Sequence, residues 1–354
     1  MTPSTPTPAT PTLNQFSFDA AVLSTDLGRV EARLREACTT RHGTVTGVVR
    51  HLVDAGGKRV RPLLALGAAA AGSATRPLPD QTIDAAAAIE LLHIASLYHD
   101  DVLDSASTRR GVPSAHRLWG NHRAILGGDY LLTLAFDSAA RLGADGTARL
   151  NSTLAEACAA QIDEAMTLFD HRRTPQQYSD CVAGKAASAL ATACWLGARS
   201  VDAGSAATTA VTELGSALGH AGQLIDDLLD LEADEQVIGK PAGSDLREGV
   251  YTLPIIFALE DDPGIAALLV DGIDPTAVHE VRERVRATTA YDRCQALVLE
   301  HIASAQHCLQ EETLTGDGVL IMQEILNTLL KAAPRQAIHN APGGGVRFRR
   351  RPRG

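Results

Sequence analysis

Two acidic clusters with the same spacing each lie inside an otherwise apolar segment. Both follow the pattern Asp-Asp-x-x-Asp, and their members are Asp100, Asp101, Asp104, Asp226, Asp227 and Asp230. Positions i, i+1 and i+4 share one face of an α-helix, so the carboxylates of a cluster point the same way. Charges about 6 Å apart repel by roughly 3 kcal/mol at an effective dielectric of ~20, and a divalent cation would reverse that repulsion. All-oxygen ligands suit Mg²⁺, with Mn²⁺ as a possible substitute, and substrate phosphates usually complete such sites.

A single cluster of this kind is weak evidence, because acidic i, i+4 pairs are common on solvated helix faces. Here the pattern occurs twice, and leucine, isoleucine and alanine precede both copies. Buried carboxylates need partners. Few Lys or Arg residues lie inside these segments, so the pattern favours a metal ion with an anionic ligand over salt bridges.

Several basic segments could bind that anion. In Gly56-Gly57-Lys58-Arg59-Val60-Arg61-Pro62 the glycines let backbone N–H groups approach a ligand, while Lys58 and Arg61 add positive charge. Further cations follow the first cluster or stand beside glycines, at Arg109, Arg110, Lys185 and Lys240. Together they predict two anion sites, one bridged by metal and one bound by cations alone.

The rest of the chain predicts an all-α fold. Of 354 residues, 45% are hydrophobic and only 4% aromatic, and alanine runs recur, a composition typical of close-packed helices. Helical periodicity runs nearly throughout, without β-alternation. We predict a disordered Thr/Pro-rich start (1–14), a single large helical bundle with a central cavity (15–334), and a flexible basic tail (335–354). The bundle should contain ten or more helices, with the two acidic clusters on facing core helices.

Charge and composition exclude some functions. A net charge of -10 argues against nonspecific nucleic-acid binding. The arginine-rich tail could weakly touch an anionic membrane surface, at about 1 kcal/mol per charge, although a solvated end is the simpler interpretation. No signal-peptide core or apolar run of about 20 residues occurs, so we expect a cytoplasmic protein. The 6 cysteines lack paired spacing and are expected to be reduced.

In combination these motifs resemble the trans-isoprenyl diphosphate synthases, the polyprenyl synthetase family, from about Val45 to Leu259. The segments that carry the resemblance are the glycine-lysine-arginine segment 56–62, both acidic clusters, Arg109-Arg110-Gly111-Val112-Pro113, and the stretch 239–249. Their order and approximate spacing match the family.

The resemblance implies a role for each candidate residue. All six aspartates would bind Mg²⁺ on an allylic diphosphate, with Asp230 acting through water. The same diphosphate would contact Arg109, Lys185 and Lys240. Isopentenyl diphosphate would be bound by Gly57, Lys58, Arg61, His93 and Arg110. Gln223 would line the pocket near the reacting carbons, and Gln161 is a weaker candidate for the same region.

The implied reaction is the head-to-tail condensation of isopentenyl diphosphate with an allylic diphosphate, catalysed by a homodimer. Alternatives are a class I terpene cyclase, whose second metal motif would differ, and a noncatalytic subunit of a heteromeric synthase, which should have lost one cluster. The sequence departs from the family at Val250 and Ala186, where Lys and Thr are frequent. Both departures could weaken diphosphate binding.

Product length should depend on the helix before the first cluster, because the growing tail would run along that helix toward its N-terminus. Each isoprene unit would pass about one helical turn, or 5.4 Å. Four and five residues upstream of Asp100 stand Ser96 and Ala95, where short-chain members place bulky aromatics. Farther toward the N-terminus of the same helix are Leu91 and Leu92, which could form a soft wall that slows growth of the tail. The residues beyond them, Ala88 and Ala85, are too small to form a wall. We therefore predict a product longer than twenty carbons. If Phe136 or Tyr130 blocks the tunnel instead, the product is geranylgeranyl diphosphate.

Overall fold

The computed structural model describes residues 21–232, 243–314 and 316–332. The predicted N-terminal segment 1–14, the basic tail 335–354 and Lys240 lie outside this range.

Fifteen α-helices follow one another in the described residues, and they confirm the all-α prediction. Their bounds are α1 Ala21–Ala37, α2 Gly43–Asp54, α3 Val60–Gly72, α4 Asp80–Leu103, α5 Ala115–Trp119, α6 Asn121–Ala140, α7 Gly143–Met166, α8 Pro175–Val182, α9 Ser188–Arg199, α10 Ser205–Glu232, α11 Ser244–Glu248, α12 Leu253–Asp261, α13 Pro275–Arg286, α14 Ala290–Cys308 and α15 Gly316–Ala332. A π-helical turn, Ala183–Ala187, joins α8 to α9, and a 3₁₀ helix, Pro263–Leu268, follows α12. A short antiparallel hairpin, β1 (Thr108–Arg109) and β2 (Val112–Pro113), pairs Thr108 with Pro113.

Small residues let the central helices pack closely. A Cβ at Gly197 of α9 would lie 2.0 Å from the carbonyl oxygen of Ala65 in α3, and a Cβ at Gly219 of α10 would lie 2.4 Å from Cα of Ala187. Backbones therefore meet where larger side chains would clash. Helix α9 packs against α3, α4 and α10, so it lies between the two helices that carry the acidic clusters. The two clusters face each other across a cavity at the C-terminal ends of α4 and α10.

One stretch, Pro175–Arg199, is long and apolar enough by composition to cross a membrane. Its most apolar window is 67% buried inside the protein, as expected for a core helix.

Candidate active site

The first acidic cluster lies at the C-terminal end of α4. Asp104 caps this helix, and its backbone N–H donates to the carbonyl of Asp100 at 2.8 Å. Asp101 is fully buried, and its Oδ1 accepts a 2.7 Å bond from Nε of Arg109. Its other oxygen, Oδ2, has no hydrogen-bond partner among the described residues. A buried carboxylate oxygen without a donor is the kind of group that a cation would satisfy.

The second cluster divides into three different environments along α10. Asp227 is buried and accepts from the Tyr178 hydroxyl at 2.5 Å and from Nε2 of Gln223 at 2.8 Å. Asp226 is exposed. Asp230 is buried, and it accepts from Oγ of Ser244 at 2.7 Å and from the Asp245 backbone N–H at 3.3 Å. Asp230 thus anchors the start of α11, a structural role that the sequence did not predict.

A cavity of about 740 Å³ joins the two clusters, and we call it the carboxylate cavity. Among the residues that line it are Asp100, Asp104, Arg109, Lys185, Gln223 and Asp227. The structure therefore brings together members of both clusters, the predicted diphosphate-binding cations Arg109 and Lys185, and Gln223, which was predicted to lie near the reacting carbons. Asp101, Asp226 and Asp230 do not line this cavity. Val250, one of the two positions at which the sequence departs from the family pattern, lines the carboxylate cavity.

Burial makes these carboxylates hard to ionise without a cation. It raises the pKa of Asp100 to about 6, against the lowering effect of Lys185, and Asp104 raises it further. Burial also raises the pKa of Asp227 to about 7, although the hydrogen bonds from Tyr178 and Gln223 oppose the shift. A positive ion in the cavity would favour the charged forms.

The residues present fit a hard divalent ion, because both clusters offer oxygen ligands only and Asp101 has an unpartnered oxygen. In the described part of the chain, no three His, Cys, Asp or Glu side chains are grouped closely enough to bind a metal by themselves. This arrangement suits an ion whose remaining ligands come from a substrate diphosphate and water.

Lys185 is fixed in place by the π-helical turn that contains it. A Cβ at Gly184 would lie 2.8 Å from the carbonyl oxygen of Glu156 in α7, so the turn packs closely against that helix. The turn also packs closely against α10, through the contact between Gly219 and Ala187 described above. Such π-turns occur often at functional sites. Nζ of Lys185 donates to Oε2 of Glu164 at 2.6 Å.

The basic loop before α3 is held by buried ion pairs. Arg59 has φ of 50° and is almost fully buried, with bonds to Glu31 at 2.6 Å and Glu90 at 2.7 Å. Arg110 donates to the backbone carbonyls of Leu52 and Gly56. Glycine suits position 57, because its φ of 138° is a backbone conformation that other residues rarely adopt and a Cβ would lie 2.9 Å from the guanidinium carbon of Arg110. Arg110, predicted to bind substrate, thus supports the loop in this structure.

A second cavity, of about 440 Å³, opens beside this loop. Arg61 and His93 line it, and it shares Asp100, Lys185 and Gln223 with the carboxylate cavity. Nε of Arg61 is buried without a partner among the described residues. Burial and the nearby arginines, Arg61 first, hold the pKa of His93 well below its usual range, so the ring is neutral near pH 7. Lys58 is exposed and lines neither cavity.

The deeper walls of the second cavity are largely apolar and come from α4, α6, α7 and α9. They include Ile89, Leu92, Ser96, Leu132, Leu154 and Ala189. Ala186, the other departure, and Gln161 also line this cavity. The sequence prediction for this wall is partly wrong: Ala95 and Leu91 are fully buried in the core and do not line the cavity. Neither Phe136 nor Tyr130 lines it either, and Leu132 stands on that side instead.

Among the side chains of the carboxylate cavity that were missed from the sequence are Glu164, Arg173 and Tyr178. No motif marks Glu164 or Arg173. Tyr178 precedes Lys185 by seven residues, two helical turns, and that spacing could have pointed to it.

Comparison with known proteins identifies the family of this chain. The family model described as polyprenyl synthetase matches residues 42–288, well over half of the chain. The chain is 36% identical over 295 residues to a nonaprenyl diphosphate synthase of Mycobacterium tuberculosis, covering 81% of this chain and 87% of that protein. It is also 36% identical over 285 residues to a geranylgeranyl diphosphate synthase of Methanosarcina mazei, covering 77% and 86%.

A solved structure shares the fold. The polyprenyl synthase of Caulobacter crescentus, crystallised with calcium and isoprenyl diphosphate, superposes with a TM-score of 0.80 at 28% identity. The match covers 89% of this chain and 97% of that one.

This chain belongs to the polyprenyl synthetase family. It is therefore a prenyltransferase, as the sequence predicted.

Proposed function

We propose that this prenyltransferase condenses isopentenyl diphosphate head-to-tail with an allylic diphosphate in a Mg²⁺-dependent reaction. The observation that carries the proposal is the shared wall of Asp100, Lys185 and Gln223 between the two cavities. One cavity offers carboxylates for a metal-bound diphosphate. The other offers Arg61 and His93 for a metal-free diphosphate, and apolar walls for a hydrocarbon chain.

The residues of the carboxylate cavity would bind and orient the allylic substrate. Asp100, Asp104 and Asp227 would hold Mg²⁺, which when bound supplies Lewis-acid stabilisation of a departing diphosphate. Lys185 and Arg109 add positive charge beside the same anion, so that negative charge developing on it is stabilised. The Tyr178 hydroxyl and the Gln223 amide donate to Asp227 and favour its ionised, metal-binding form.

The second substrate would lie across the shared wall. Arg61 has unused donors for a phosphate, and the neutral His93 ring can donate one hydrogen bond without adding charge. Positioned there, the double bond of isopentenyl diphosphate faces the carbon from which diphosphate leaves. No protein base is required if the released diphosphate accepts the proton, and the apolar walls limit access of water to the reactive cation.

We propose a product longer than twenty carbons. Ser96 leaves the cavity open next to Asp100, and the apolar lining continues past it to Leu92, Ile89 and Leu154. The relatives do not decide the length, since one is a nonaprenyl and another a geranylgeranyl synthase.

We also propose that the chain acts as a homodimer in the cytoplasm. Adjacent helices α5 and α6 expose apolar side chains, among them Leu118 at 48%, Ile125 at 40% and Leu126 at 65%. An apolar surface shared by neighbouring helices suits a self-complementary interface. Light scattering at micromolar concentration tests it, and a monomer mass would contradict it.

Incubation with labelled isopentenyl diphosphate, allylic primers of different length and Mg²⁺, followed by product sizing, tests the reaction itself. We expect linear products that grow in five-carbon steps. A cyclic hydrocarbon formed without isopentenyl diphosphate would indicate a cyclase instead.

A further inference from the structure

Glu164 of α7 lies in the carboxylate cavity together with Asp100, Asp104 and Asp227. Its Oε2 accepts from Lys185 Nζ at 2.6 Å, and the two side chains are 14% and 37% exposed. The cation that the proposed reaction needs for a diphosphate is thus already paired with a carboxylate.

Arg173 is a second cation beside the same carboxylate, and it is poorly satisfied. Its side chain is 3% exposed, and its Nη2 lies 3.7 Å from Oε1 of Glu164, too far for a hydrogen bond. Nη1 makes a 3.3 Å bond to the Tyr251 carbonyl, and Nε has no partner among the described residues. A buried guanidinium carries five N–H donors, so Arg173 retains donors that Glu164 could occupy after a small movement.

The charges around Glu164 keep it ionised. Burial alone would raise its pKa, but Lys185, Cys181 and Arg173 outweigh burial and hold the pKa below its usual range. An ionised carboxylate at this position repels an incoming diphosphate and competes with it for Lys185.

We propose that Glu164 is a displaceable counter-ion that sets the affinity of this site for diphosphate. It pairs with Lys185 in the ligand-free protein and moves onto Arg173 when a diphosphate takes Lys185. The inference rests on the proposed function only in placing a diphosphate at Lys185.

Substitution of Glu164 by Gln separates this role from simple orientation of Lys185. Glutamine keeps the size of the side chain and an oxygen that can accept from Lys185, but it removes the competing charge. Displacement predicts tighter diphosphate binding in Glu164→Gln. A purely orienting role predicts unchanged or weaker binding.

The matched control is Asp163→Asn. Asp163 precedes Glu164 on α7, is exposed, and lines neither the carboxylate cavity nor the second cavity. This variant removes the same formal charge close by without touching Lys185. It therefore measures the general effect of lowering the negative charge.

Calorimetric titration with inorganic diphosphate in saturating Mg²⁺ provides the test. We expect Glu164→Gln to bind roughly fivefold tighter than wild type, the scale of a partly buried ion pair. Asp163→Asn should stay within about twofold of wild type. In turnover, the KM for the allylic diphosphate should fall by the same factor in Glu164→Gln, with the KM for isopentenyl diphosphate unchanged.

A second variant, Arg173→Gln, probes the other end of the movement. It should weaken diphosphate binding when Glu164 is present and have little effect in the Glu164→Gln background, because no carboxylate then needs a new partner. Thermal melts verify that each variant folds.

Unchanged or weaker binding in Glu164→Gln, or an equal gain in Asp163→Asn, overturns the proposal. The binding measurement needs no elongation. If wild type failed to elongate, the proposed reaction would be wrong while this test would still give its answer.

Discussion

Replacing Tyr178 by Phe should move the acidic limb of the activity profile to higher pH. The Tyr178 hydroxyl donates a 2.5 Å bond to the buried carboxylate of Asp227, whose pKa is already about 7. Hydrogen bonds to charged groups contribute about 1.5–3 kcal/mol, and each pKa unit corresponds to about 1.4 kcal/mol. Loss of the bond should therefore raise the pKa of Asp227 by roughly one to two units.

The sign follows from the state that binds metal. Only ionised Asp227 is a good ligand, so activity is lost as pH falls through its pKa, and a higher pKa makes that loss begin at a higher pH, above neutrality. We expect kcat/KM of Tyr178→Phe to fall at pH 7 and to recover toward pH 9, and a higher Mg²⁺ concentration to compensate in part.

The assay is kcat/KM for the allylic substrate between pH 5.5 and 9.5 at two Mg²⁺ concentrations. Tyr291→Phe is the matched control, since Tyr291 is also a buried tyrosine but lines neither cavity of the site. An acidic limb that is the same in Tyr178→Phe and wild type would refute the assigned role of this hydrogen bond.

Three further predictions concern other parts of the site. Arg61→Ala should raise the KM for isopentenyl diphosphate far more than Lys58→Ala, because Arg61 lines the second cavity and Lys58 is exposed. Steady-state kinetics on both substrates measure the difference, and equal effects of the two variants would contradict the prediction. Ser96→Phe should shorten the product, whereas Ala95→Phe, at a fully buried position, should cost about 1–3 kcal/mol of stability through overpacking. Product sizing and melting curves distinguish the two effects. An unchanged chain length in Ser96→Phe would show that α4 does not limit growth of the product. Because the pKa of Asp227 is raised in the folded state, the stability contributed by its protonated form is full below the unfolded pKa near 4 and is lost as pH rises through about 7. The Tm of Asp227→Asn, measured against metal-free wild type, should therefore show a gain that grows across that pH interval. A gain that stays constant with pH would argue against the raised pKa.

Much of the site could be predicted because it depends on local spacing. The clusters Asp100–Asp104 and Asp226–Asp230 each occupy about one helical turn, so sequence distance fixes which carboxylates lie together. The all-α class likewise follows from periodicity and alanine-rich composition.

Other features depend on packing between distant segments, which spacing does not reveal. Asp230 was predicted as a metal ligand, but Ser244 and Asp245 reach its oxygens from α11. The contact of Glu164 with Lys185 joins α7 to the π-turn across 21 residues. The choice between Ala95 and Ser96 as cavity wall depends on the rotation of α4 against its neighbours, and adjacent residues differ by about 100° around a helix.

The central claim is elongation at a site where metal and cations act together, and one experiment tests it most directly. Purified protein is incubated with radiolabelled isopentenyl diphosphate and an allylic diphosphate, with Mg²⁺ or with chelator, alongside Asp100→Asn as a control. The account predicts linear prenyl diphosphates and one released diphosphate per addition with Mg²⁺, and less than about a tenth of that rate with chelator or in the variant. Comparable elongation in Asp100→Asn at saturating Mg²⁺, or none in wild type, would contradict it.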